Sequence, residues 1–231
     1  MTFEICAESF DAALLAKQYK VKRIELCSAL GVGGLTPSYG LIKACAALEG
    51  AEVHAMIRHK EGGFVYTWED IEIMLNDILG VKAAGGHGVV FGCLDANNEI
   101  DVEQNKVLIE TAKKLDLEVT FHRAFDFVTD HKNALEQLIE MGFDRLLTSG
   151  KAAKAIEGVS VLAELVVQSK GRIEIMAGSG VSTENAEILK KTGVDALHFT
   201  VHTKMDDDIS LGMGQRSLMD EEKLKGIVGV V

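Results

Sequence analysis

Arg23-Ile24-Glu25-Leu26-Cys27 puts Glu25 and Cys27 on one face of a strand and Ile24 and Leu26 on the other, because successive side chains of a strand alternate. Four further runs repeat the pattern: Phe3-Glu4-Ile5-Cys6, Val53-His54-Ala55-Met56-Ile57-Arg58, Val119-Thr120-Phe121-His122 and Ala196-Leu197-His198-Phe199. Candidate strands begin near Phe3, Arg23, Glu52, His87, Leu117, Asp144, Arg172 and Asp195, each followed by a helical stretch. Among the helices, Trp68 to Ala84 has a start signal in Thr67-Trp68-Glu69-Asp70 and an end at Gly85-Gly86. Val102 to Leu115 and His131 to Met141 carry apolar residues at helical spacing, and Met219 to Val228 reads as a short last helix.

Eight strands alternating with helices, one proline and no linker predict a single-domain α/β protein over residues 1–231, a (β/α)8 TIM-type barrel. Such barrels usually take about 250 residues, so this is a compact one. A doubly wound open sheet would carry a glycine-rich dinucleotide turn after its first strand. Here that turn reads Ala7-Glu8-Ser9-Phe10, so no nucleotide cofactor is expected.

The 231 residues are 47% hydrophobic, enough for one large core, yet no run approaches the roughly 18 apolar residues of a membrane span. No basic segment followed by an apolar one opens the chain, which predicts a cytoplasmic protein without a membrane role. A net charge of −11 argues against nucleic acid as a partner. Cys6, Cys27, Cys45 and Cys93 lie far apart with no C-x-x-C pair and read as reduced thiols.

In a barrel of this kind the active site lies at the C-terminal strand ends. With Ile5, Ile24, Leu26, Ile57, Phe121 and Phe199 turned to the helices, Glu4, Cys6, Glu25, Cys27, Met56, Arg58, His122 and His198 face the axis. These charged groups form either a site or a structural ion network. As a site, His122 serves as general acid or base, Glu25 or Asp126 orients it, and Arg58 supplies electrostatic stabilisation. Within His122-Arg123-Ala124-Phe125-Asp126, Arg123 either holds an anionic group or pairs with Asp126 to pin the loop.

Gly178-Ser179-Gly180 after the seventh strand, with Ser182 as a helix cap, and Thr148-Ser149 after the sixth read either as ordinary strand-to-helix turns or as a small-anion pocket. Residues 28–40 and 58–67 are long enough to cover it, the second with Phe64 and Tyr66 to exclude water. Cys6 and Cys27 end neighbouring strands on one face with Met56 beside them; they read either as soft sulfur ligands, which select Cu(I), or as small buried hydrophobes. Asp206-Asp207-Asp208 reads as a solvated turn.

Taken together the motifs resemble the copper homeostasis CutC family. The resemblance rests on Arg23-Ile24-Glu25-Leu26-Cys27-Ser28, Gly33-Gly34-Leu35-Thr36-Pro37-Ser38, Met56-Ile57-Arg58, Val90-Phe91-Gly92, Phe121 to Asp126, Arg145 to Gly150 and Met176 to Val181. It implies a TIM-type barrel, a cytoplasmic protein that self-associates as a dimer or tetramer, a role in copper handling, and Cys6 and Cys27 as Cu(I) ligands. Arg58-His59-Lys60 stands where that family commonly has Arg-Pro-Arg, and Thr200-Val201-His202-Thr203 replaces a small-residue segment, so the mouth is altered. Three functions follow as expectations: a copper-binding homeostasis protein, an enzyme acting on a small anionic or phosphorylated metabolite, and a non-catalytic ligand sensor.

Overall fold

Eight parallel strands close in chain order into a barrel in the computed structural model, which describes residues 1–204 and 217–230. They are β1 (Thr2–Ala7), β2 (Arg23–Leu26), β3 (Glu52–Met56), β4 (Gly88–Phe91), β5 (Glu118–Phe121), β6 (Arg145–Thr148), β7 (Glu174–Gly178) and β8 (Ala196–Thr200). Around them run α1 (Phe10–Gln18), α2 (Tyr39–Ala46), α3 (Trp68–Ala83), α4 (Val102–Lys114), α5 (His131–Met141), α6 (Val159–Ser169), α7 (Ala186–Lys190) and α8 (Glu221–Val230). The fold is the (β/α)8 barrel that the alternation predicts. Asp206, Asp207 and Asp208 lie outside the described residues.

Two cores result from the alternation of strand side chains. Ile5, Ile24, Leu26, Ile57, Phe121 and Phe199 pack outward against the helices in the main apolar core. Inside the barrel, Cys6, Cys27, Met56 and Val90 form one small apolar cluster, and Leu147, Met176 and Ala196 another. The rest of the interior is polar, and β4 makes room for it. A Cβ at Gly88 would collide with the His54 ring, and one on Gly92, just past the strand, would come within 2.8 Å of His122 Nδ1. Two imidazoles from neighbouring strands thus occupy the space that these glycines leave.

Local signals act as the sequence indicates over α3, where Thr67 and Asp70 form a reciprocal capping box. Two helix starts differ. Met219 is not helical but pairs with His202 in a hairpin of β9 (His202–Lys204) and β10 (Ser217–Met219). The last helix begins two residues later, where Asp220 Oδ1 accepts the Lys223 N–H at 2.9 Å. After β7, α7 starts at Ala186, past Ser182, and no side chain caps it; Asn185 Oδ1 instead accepts the Ser182 N–H at 2.9 Å. The Tyr19 hydroxyl donates to Glu221, joining α1 to α8 and so closing the helical ring.

Candidate functional site

Parallel pairing brings the floor of the mouth together from three strands. Cys6 lies opposite Glu25 in the β1–β2 ladder, and Glu4 lies opposite His198 in the β1–β8 ladder. The Cys6 thiol donates to Glu25 Oε2 at 3.2 Å, and its sulfur lies 3.9 Å from that of Cys27. His198 Nδ1 meets Glu4 Oε1 at 2.8 Å, while its Nε2 stands 3.6 Å from Glu25 Oε2. Ligand atoms of Cys6, Glu25 and His198 lie within 4.8 Å of one another. All are buried, so each charge depends on its neighbours.

Those neighbours separate the two carboxyls. Burial would raise Glu4, but the bond from His198 and the charges of His198 and Arg23 bring it down to about 2. Glu25 is pushed up, by burial first and then by the Glu4 charge. His198 is held above its ordinary value, because Glu25 and Glu4 outweigh the burial that opposes its imidazolium. The Cys6 thiol is pushed well up by its contact with Cys27, by burial and by Glu25. The result is a fixed carboxylate at Glu4, an imidazole clamped through Nδ1, and a second carboxyl at Glu25 that takes a proton readily.

Above the floor is a cavity of about 510 Å³ whose walls include Phe64, His122, Phe127, Leu147, Val181 and Phe199. The sequence points to His122 as acid or base oriented by Glu25 or Asp126; the structure corrects this. His122 Nδ1 accepts the Ala124 N–H at 3.3 Å, and among the described residues no carboxylate bonds the ring. Burial, aided by Arg58, lowers its imidazole to about 3, so it is neutral, and its Nε2 has no partner among the described residues. Phe64 packs edge-on against it with ring centres 4.9 Å apart.

Arg58, expected to stabilise charge, lines the cavity and also bonds the backbone around it. Its guanidinium donates to Val32 O at 3.0 Å, Gly34 O at 2.9 Å and Gly62 O at 2.8 Å. It ties the two covering segments together at the cavity wall.

The anion pocket expected beside β6 is already filled, and the anion is Asp126. Its carboxylate accepts the Ser149 N–H at 3.1 Å, the Ser149 hydroxyl at 2.8 Å, the Lys151 N–H at 3.2 Å and the Thr148 hydroxyl. Arg123 Nε completes the set at 2.8 Å, which is the loop-pinning alternative. Thr148 and Ser149 therefore do not line the cavity, whereas Ser179 and Gly180 do. Gly178 lies below them, where a Cβ would come within 3.3 Å of His198 and 2.6 Å of Leu147.

A second polar assembly, which the pattern of strand ends does not single out, fills the lower barrel. Arg23 pairs with Glu4 and, at 2.7 Å, with Glu174; Arg145 pairs with Glu118 and, at 3.0 Å, with Glu174. Burial, with the charges of Arg145 and Arg23, lowers the His54 imidazole beside them to about 3. The signal is present in the same period of two that marks the mouth, as Arg23, His54 and Glu118 sit two or four residues before Glu25, Arg58 and His122.

Fold and site define a TIM-type barrel with a buried thiol, imidazole and carboxylate converging at its C-terminal mouth. No helix among the described residues is long and apolar enough to cross a membrane. The chain belongs to the CutC family, whose model matches residues 1–203. A family protein CutC from Glaesserella parasuis serovar 5 (strain SH0165) is 43% identical over 239 residues, covering 99% of this chain and 98% of that protein. One from Vibrio vulnificus (strain YJ016) is 48% identical over 85% of this chain and 79% of its own length. The crystal structure of CutC from Streptococcus agalactiae superposes with a TM-score of 0.81 at 36% identity, covering 86% of this chain and 98% of that one. A 3-hexulose-6-phosphate synthase, 15% identical with a TM-score of 0.65, shares the fold alone.

Proposed function

We propose that this chain binds a single Cu(I) ion at the floor of the barrel mouth and serves copper homeostasis, the role named for its Streptococcus agalactiae relative. The observation that carries the reading is the convergence of Cys6, Glu25 and His198 with the Cys27 sulfur 3.9 Å from Cys6. Cys6 and Cys27 are the soft donors, as their strand positions suggest, and His198 Nε2 is the borderline one. Glu4 on Nδ1 is the outer carboxylate that fixes the orientation of a ligating histidine. Glu25, a hard oxygen, is suited to proton transfer instead. When copper binds the sulfur, the Cys6 proton passes along the existing bond to Glu25.

Reduced protein titrated with Cu(I) against a chromophoric chelator tests this. One equivalent is expected, weakened in His198→Asn and lost in the Cys6→Ser, Cys27→Ser double variant. Copper bound as tightly by the double variant as by the parent overturns the reading.

The cavity favours a second occupant, because about 510 Å³ walled by Phe64, Phe127, Leu147 and Phe199 is more than an ion requires. His122 Nε2–H and Arg58 Nε–H, both without partners among the described residues, suit an oxygen acceptor on a small organic anion with an apolar body. Acid–base chemistry on it would use Glu25 and His198, the pair whose proton affinities are raised, and not the neutral His122.

A further inference from the structure

The mouth accounts for the upper half of the barrel interior and leaves the N-terminal end unexplained. There Glu52 and His54 of β3 and Glu118 of β5 bring ligand atoms within 4.8 Å of one another. His54 is fully buried and neither ring nitrogen has a hydrogen-bond partner among the described residues; Nε2 is 3.6 Å from Glu118 Oε2, too long for a bond. Glu52 Oε2 is likewise buried and unpartnered. Polar atoms left so in a folded interior are rare and mark a missing partner.

Charge indicates what that partner is. Four carboxylates at this end (Glu4, Glu52, Glu118 and Glu174) face two guanidiniums, Arg23 and Arg145, and Glu4 is shared with His198 above. A carboxylate has about four lone-pair sites, so the Arg145 bond leaves Glu118 free to ligate. Glu118 is 47% exposed, which gives the end an opening to solvent.

We propose that the N-terminal end of the barrel is a Zn²⁺ site formed by His54, Glu52 and Glu118. One imidazole nitrogen and two carboxylate oxygens, with no sulfur, fit zinc's donor preference and differ in kind from the thiols at the mouth. Binding neutralises the excess negative charge and gives His54 and Glu52 the partner they lack.

The test uses the Cys6→Ser, Cys27→Ser protein, so that the mouth thiols take no part. Zn²⁺ is titrated against a chromophoric chelator, and anomalous diffraction at the zinc edge locates the ion. One equivalent is expected, at the lower end. Glu52→Gln, which breaks no bond that Glu52 Oε2 makes and so is expected to fold, should weaken it by at least about tenfold, since even outer partners of a metal cost that much. His54→Asn should abolish it. No zinc bound by the Cys6→Ser, Cys27→Ser protein overturns the proposal, as does equal affinity in Glu52→Gln, which would place the ion on surface groups such as His131 and Glu164.

Discussion

Acidification should unfold this protein through two histidines that stay neutral, and replacing His122 by Asn should remove about half of the effect. His122 and His54 are buried, and each imidazole is lowered from 6.5 to about 3. In the unfolded chain both take up a proton near their ordinary value; in the folded chain they do not. The unfolded state therefore binds more protons between about pH 6.5 and 3, and stability is lost as the pH falls through that window. From about pH 7 to about pH 5, each such group removes roughly 2 kcal/mol, or about 4 kcal/mol for the pair. His198 acts in the opposite sense: its folded value is raised, so its contribution is full at low pH and fades as the pH rises through that value. Urea unfolding of parent and His122→Asn at both pH values cancels His198 and Glu4, which are common to both proteins. The variant should lose about 2 kcal/mol less than the parent on acidification. An unchanged pH dependence would refute the neutral, buried His122.

Asp126→Ala should lower stability by about 3 kcal/mol, because it strips a charged acceptor from the Ser149 and Lys151 N–H groups and from Arg123. Thermal melting measures this, and an unaltered melting temperature would show that Asp126 does not hold the loop. Cu(I) affinity should rise with pH, by about tenfold per unit for each proton released to solvent, because the Cys27 thiol and the His198 imidazole must give theirs up and the Cys6 proton leaves by way of Glu25. Chelator competition across neutral pH would expose a flat profile and so contradict ligation by Cys6 and His198.

Why some of this is legible in the sequence and some is not follows from what each residue touches. The strands and their inner faces follow from alternation alone, since one residue of slip would turn Glu25 and Cys27 into the helix layer. Neighbouring parallel strands then suffice to bring Cys6, Glu25 and His198 together. His122 and Asp126 are different. Four residues apart, they read as a dyad, but the 3-10 turn Arg123–Phe127 carries Asp126 to β6, where Ser149 and Lys151 hold it. Spacing does not reveal the path of a turn. Phe64 and Arg58 likewise depend on how two long segments fold back across the mouth. The lower end is readable in Arg23, His54 and Glu118, but a rule that seeks function at C-terminal strand ends passes over it.

Arg58 holds Val32 and Gly34 in one covering segment and Gly62 in the other with a single rigid fork. Both covers thus lean on one post at the end of β3: lifting the first surrenders two of its bonds, lifting the second surrenders one. Together the three are worth about 5 kcal/mol at the usual strength of bonds from a charged donor. The rim of the mouth therefore owes its shape to a single side chain that reaches it from the barrel wall.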